Sequence, residues 1–425
     1  MKLYSDNNSI IYIILDGKDD EQKIFDSVNS LGKTLSNSDI IKNYLFQKMR
    51  EQAGSDEVKL SDITDIYNKY WDSVFYDEGR KDFWYKEITI GRFKTDNLEC
   101  FLRDLGVIKE IYASKKTTGT YGLCNAYKKH IDNLSSEELK AFVIEINEYA
   151  KVYYDYKTGY ENTTSFAWSD SLNRLLLILD YLETTTFNPY VLKLLKDRPD
   201  NLEEKLYNFE RFFLTRFIFE GKTKNYNQCC ENLIKATDDA IFFDQYMEES
   251  PVLNNSYKTK LRSLTNKQGT LFLFLLEMLS RNGHEDLYSD TLNIHSYTLE
   301  HILPQKWQSN KDWLDSECFD ESGQKVDKNN PAFFPTTRNA AVRSIGNFTL
   351  LTSKLNTSVS NSSFKVKIEG NGKKNGYGIR KYASSLSLTK AVIDVYDQTG
   401  VWNEKNVFQN EKDYYNKLNE FYCFE

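Results

Sequence analysis

At 425 residues the chain can hold two or three domains with a large core, and its 40% hydrophobic and 28% charged residues are those of an ordinary globular protein rather than a disordered or fibrous one. No apolar run approaches the roughly 18 residues of a membrane span and Met1-Lys2-Leu3-Tyr4-Ser5-Asp6 is not a secretory leader, so no membrane partner is expected and the cytoplasm is the expected compartment. The net charge of −7 hides an asymmetry, because ten basic residues and one acidic one lie between Arg338 and Lys390, the electrostatic footprint of a polyanion partner.

In chain order, Ser9–Leu15 is β-branched and aromatic and predicts a strand. Asp19–Asn29 has helical spacing, with Ile24, Phe25 and Val28 on one face. Ser36 or Ser38 can cap a helix through Ile40, Ile41, Tyr44, Leu45 and Met49, which Gly54 ends. From about Ser61 to Ser280 the pattern is helix after helix. Asn188-Pro189 is a helix start, and the all-round apolar run Gly269–Leu279 predicts a buried helix. Ser280-Arg281-Asn282-Gly283 ends that run and predicts a boundary near residue 285. Beyond it the period changes: Thr298–Leu303 and Phe348–Leu351 predict strands, separated by an insertion over 308–343, with a loop and helix start over Ser353–Asn361 that closes a small ββα unit. The tail Ser387–Phe421 returns to helix. The expected fold class is α+β, mainly α-helical.

The chemistry concentrates in Leu299-Glu300-His301-Ile302-Leu303-Pro304-Gln305, followed by Ile345-Gly346-Asn347-Phe348 and Leu355-Asn356. Hydrolysis of a phosphodiester needs a base to activate water and a cation to neutralise charge on the phosphate. A neutral histidine suits the first task. One carboxylate (Glu300) and one amide oxygen (Asn356) suit a single hydrated Mg²⁺ or Mn²⁺ ion. Successive residues of a strand point to opposite faces, so Glu300 and His301 serve one site only if the strand is distorted or the ion lies at its edge.

This pattern resembles the HNH, or ββα-metal, nuclease motif: an acidic residue, His, two apolar residues and Pro; then the Asn of the hairpin; then a His or Asn on the helix. The resemblance implies His301 as the base, Asn347 as the brace of the loop that bears it, and Glu300 and Asn356 as metal ligands. Asn rather than His at the third position favours Mg²⁺ or Mn²⁺ over Zn²⁺. With Ser360-Asn361, Phe364, Lys367 and Trp402-Asn403, the run is similar to the C-terminal nuclease domain of GmrSD-type restriction endonucleases, bacterial anti-phage enzymes that cut modified DNA. Arg211–Tyr226 and the apolar helix ending at Glu277 resemble that family's helical middle, and Ile24–Leu35 with Asp39–Asn43 resembles the close of its ParB/Srx-like N-terminal domain.

The chain departs from the family in lacking the Asp-Gly-Gln-Gln-Arg element and the strand-rich half that precedes it. On the resemblance, residues 1–55 are a remnant of that first domain, 56–285 the helical domain and 286–425 the nuclease domain. The incomplete first domain leaves the family's NTP requirement open for this chain, and a separate chain bearing the missing half is a candidate partner. The expected function is a metal-dependent HNH endonuclease acting on DNA in restriction of modified phage DNA. Two other readings stay open: a DNA-binding fragment whose nuclease site is spent, and an RNA-cleaving HNH toxin.

Lys354, Lys365, Lys367, Lys373, Lys374, Arg380 and Lys381 are the expected nucleic-acid contacts. Asn361 is the alternative to Asn356 should the helix start later. His130 and His284 read as surface residues and His295 as a loop residue. Gly32-Lys33-Thr34 lacks the upstream glycine of a phosphate-binding loop. The six cysteines, none in a C-x-x-C pair, read as reduced thiols.

Overall fold

A computed structural model describes residues 36–90, 93–112, 122–163, 166–220, 225–236, 238–249, 257–284, 292–330, 332–372, 376–382 and 385–424. The strand expected over Ser9–Leu15, the helix over Asp19–Asn29 and most of the segment likened to a ParB/Srx-like domain lie outside them. The chain divides into two compact units, between Lys151 and Val152. The architecture is mainly α-helical α+β, with two small sheets of two strands each. Among the described residues no helix is long and apolar enough to cross a membrane.

In the first unit, helix α1 (Asn37–Ala53) begins where a serine can cap it. The Ser36 hydroxyl accepts from the Asp39 N–H at 3.1 Å, and Gly54 stops the helix at φ +61°, a conformation glycine adopts without strain. Ile41, Leu45 and Met49, at helical spacing, turn inward. Strands β1 (Glu87–Ile90) and β2 (Phe93–Asp96) pair antiparallel. They interrupt a region whose sequence reads as helix throughout, because four-residue strands are too short to set up a period of two. Helix α2 (Asn97–Ile108) follows, capped by Asp96. Trp71, Phe75, Trp84 and Phe101 form an aromatic core in which neighbouring rings lie 4.8 to 6.1 Å apart.

The second unit contains helices α3 (Ser171–Tyr181), α4 (Leu202–Leu214) and α5 (Asn266–Arg281). It also contains the antiparallel pair β3 (Tyr297–His301) and β4 (Phe348–Thr352). The segment between these strands ends in helix α6 (Phe333–Arg343). Helix α7 (Ser353–Val359) starts directly after β4 and α8 (Phe364–Glu369) follows it. Helices α9 (Ser387–Thr399) and α10 (Glu404–Tyr422) close the unit.

Helix α5 is apolar on all sides because it is covered on all sides. Its capping box joins Thr265 and Gln268, and its residues from Gly269 to Met278 are buried. At Gly269 it lies so close to the strand pair that a β-carbon would stand 2.7 Å from a Leu299 methyl. Its one buried acid, Glu277, accepts from the Ser387 and Leu388 N–H groups at 2.9 and 3.1 Å and so caps α9. Helix α5 therefore joins the strand pair to α9 across the turn near residue 285.

Gly346, in the turn that leads into β4, meets the backbone of α10. A β-carbon there would stand 2.0 Å from the Val407 carbonyl oxygen and 2.5 Å from the Glu411 nitrogen. Neither is a flexible side chain, so one of the two elements has to shift. Gly346→Ala is therefore expected to destabilise this unit by about 3 kcal/mol, the upper end for overpacking. In a thermal melt that appears as a loss of roughly 5 °C or more; an unchanged midpoint would show that α10 can be displaced freely.

Candidate active site

Register sets the site. His301, the last residue of β3, stands opposite Phe348, the first of β4, and Glu300 stands opposite Thr349. The His301 ring meets the Phe348 ring edge-to-face, with centroids 4.5 Å apart. Its Nε2 lies 3.1 Å from the Gln305 side-chain nitrogen. With the amide nitrogen turned toward the ring, Nε2 is the acceptor, which assigns the tautomer with its proton on Nδ1. Burial, and then the Lys367 ammonium nearby, lower the His301 pKa from 6.5 to about 4. At neutral pH this is an uncharged imidazole with a lone pair on Nε2.

The shift has a consequence for stability. A histidine whose pKa is lower in the folded chain adds stability that is complete above its ordinary value of 6.5 and is lost as pH falls through about 4. The expected NMR titration midpoint of the His301 ring lies below pH 5. His301→Gln should flatten the fall of the melting temperature between pH 7 and that range. A midpoint near the ordinary value would show an open, solvated ring.

Asn347 is fully buried and every polar atom of its side chain is engaged. Its Oδ1 accepts from the Leu303 N–H at 2.8 Å and from the Trp402 indole N–H at 3.2 Å. Its Nδ2 donates to the Leu303 and Val342 carbonyls at 2.8 and 3.1 Å. The Ile302 N–H also donates to the Asn347 carbonyl, at 3.0 Å. The two residues after His301 are thus pinned to the start of β4 through both side chain and backbone. Partners that only donate face the oxygen and partners that only accept face the nitrogen, which sets the amide orientation.

Asn356 sits on α7. Its Nδ2 donates to the Leu299 carbonyl at 2.6 Å and to the Thr298 hydroxyl at 3.1 Å, which ties α7 to β3. The amide oxygen is the atom left to coordinate a ligand.

Glu300 is 5% exposed and its carboxylate forms an ion pair with Lys367 of α8, which is fully buried. The Lys367 ammonium also donates to the His301 carbonyl at 2.9 Å and to the Ser360 carbonyl. Burial pushes the Glu300 carboxyl up and the Lys367 amine down, each toward its neutral form, and each is opposed by the charge of the other. Three oxygen acceptors, one for each ammonium hydrogen, favour the charged lysine.

The expected metal ligands therefore do not converge as uncommitted donors. The Glu300 Oε1 is taken by the Lys367 ammonium, and the Asn356 amide nitrogen by β3. Among the described residues no three of the His, Cys, Asp and Glu side chains cluster as a cation site. A divalent ion such as Mg²⁺ or Mn²⁺ prefers hard, charged oxygens, so this donor set, as arranged, does not fit an ion held by Glu300 and Asn356 together.

The expected nucleic-acid contacts also separate. Lys354, Lys365 and Lys381 are exposed, with Lys381 over the Tyr377 ring at 3.6 Å. Arg380 is held by Glu369 at 3.0 Å and by Asp397. Lys367 is buried and cannot reach a phosphate from this position. Lys373 and Lys374 lie outside the described residues. Arg338 of the same basic window is buried against Glu404, so the window's formal charge overstates what reaches the surface. His295 stands 3.6 Å from Asp180, with its ring 5.6 Å from that of Tyr181 on α3. Gln305 carries no assigned role in the sequence reading. Its position four residues after His301, across a proline turn, is the signal that places it beside the ring.

Fold and site together define a mainly helical α+β protein whose strand–strand–helix unit presents an uncharged, braced histidine near the surface. Residues 249–417 match the family model of GmrSD restriction endonucleases, C-terminal domain. No curated protein and no solved structure matches the chain.

Proposed function

We propose that the chain is an HNH-type endonuclease that hydrolyses phosphodiester bonds in DNA and serves in restriction of modified phage DNA. The observation that carries this reading is the uncharged His301, its Nε2 lone pair facing the Gln305 amide, at the end of a strand that Asn347 pins. His301 Nε2 takes a proton from water as the water oxygen attacks phosphorus and the bond to the leaving sugar oxygen breaks, and that oxygen takes its proton from solvent water. Asn347 serves the base indirectly: three hydrogen bonds hold the 302–303 backbone, and with it the angle of the ring. Gln305 keeps the ring turned with Nε2 as the acceptor until water displaces the amide. Lys354 on α7 and Lys365 on α8 are the exposed cations on the helices that also bear Asn356 and Lys367, and they suit backbone phosphates without reading sequence. The match of residues 249–417 to the GmrSD family model supports a role in restriction of phage DNA. Conversion of supercoiled plasmid to open circles by the purified chain, and its loss in His301→Ala, tests the reading.

A further inference from the structure

Glu300, His301 and Asn356 lie on two elements that a single buried side chain ties together. Lys367 reaches from α8 to the Glu300 carboxylate, to the His301 carbonyl at 2.9 Å and to the carbonyl of Ser360, the residue that ends α7. That carbonyl is turned inward by an unusual backbone. Ser360 has φ +37° and ψ −138°, a region that residues with a β-carbon avoid unless their surroundings hold them there. The ammonium therefore fixes the strand that ends in His301 against the end of the helix that carries Asn356. It also already neutralises, through Oε1, the carboxylate charge on which a metal ion at Glu300 would draw.

We propose that Lys367 is the resident cation of Glu300, a positioning residue that sets His301 and Asn356 relative to each other, and that Glu300 is not a metal ligand. This rests on the nuclease reading of His301 for its catalytic arm but not for its metal-binding arm. Removing a buried ammonium alone strands a buried carboxylate and risks unfolding. The informative variant is therefore the double substitution Glu300→Leu/Lys367→Met, which replaces the pair by apolar groups of similar size.

The variant should fold, and it should lose the hold on the His301 and Ser360 carbonyls. Its plasmid-cleavage kcat is expected to fall about 100-fold with KM for DNA nearly unchanged, the signature of a misplaced reacting group. Mn²⁺ titration of the full chain, followed by the EPR signal of the free ion, should show Glu300→Gln within about twofold of wild type, since less than 0.5 kcal/mol is then at stake. Wild-type turnover in the double variant, or Mn²⁺ binding that weakens about tenfold or more in Glu300→Gln, overturns the proposal. If the wild-type chain cuts no DNA while the Mn²⁺ results hold, the nuclease reading falls and the assignment of Glu300 to Lys367 stands.

Discussion

His301→Ala is expected to abolish measurable plasmid nicking while leaving the fold in place. A positioned general base contributes about 10²- to 10⁴-fold to a rate, and no second imidazole is at hand: His295 is committed to Asp180 and Tyr181 on α3. The structural loss should be small by comparison. The ring gives up one hydrogen bond to Gln305 and one edge-to-face contact with Phe348, roughly 1 to 2 kcal/mol in all. Activity and stability should therefore separate cleanly, with cleavage gone and the melting curve shifted by only a few degrees. Should His301→Ala cut plasmid at the wild-type rate, the base lies elsewhere and the reading of this strand end fails.

Asn347→Ala should show the opposite pattern, a collapse of stability that takes activity with it. The substitution strands the Leu303 N–H, the Leu303 carbonyl, the Val342 carbonyl and the Trp402 indole N–H. A buried polar group left without a partner costs about 1–3 kcal/mol, and a whole domain has only about 5–15 kcal/mol to lose. The expected melting temperature falls by roughly 10 °C or more. Asn347→Asp separates shape from bonding, since it keeps the volume but sets a carboxylate oxygen against two carbonyls. It should be nearly as damaging. A melt of either variant that overlays wild type would mean that the 302–303 turn holds itself.

Much of this arrangement was legible in the sequence where local rules decide. Ser36 and Gly54 bracket α1 because a serine can cap and a glycine can take positive φ. The run Gly269–Leu279, apolar on every side, required a helix covered all round. The order of His301, Asn347 and Asn356 set the first on one strand, the second in the turn just before its partner and the third on the helix after it, because the strands pair antiparallel and the helix follows at once. Direction of side chains was harder to read. Lys367 reads as a phosphate contact in a basic run, yet it lies three residues after the buried Phe364 and one before the buried Ile368, on the inward face of a helix of six residues. Its inward course is fixed by Glu300, sixty-seven positions away, and no local pattern reports that pairing. Arg338 was misplaced for the same reason, since its partner Glu404 comes from α10.

Helix α5 finally bears on how such a strand pair can be moved between proteins. The strands that bear Glu300, His301 and Thr349 are roofed by residues that precede them in the chain, with Gly269 against Leu299 and Glu277 holding the start of α9. A hairpin roofed in this way is not a self-sufficient cassette. Recombination that transplants it has to carry the upstream helix as well, so the heritable unit of chemistry here is longer than its motif and begins before the turn near residue 285.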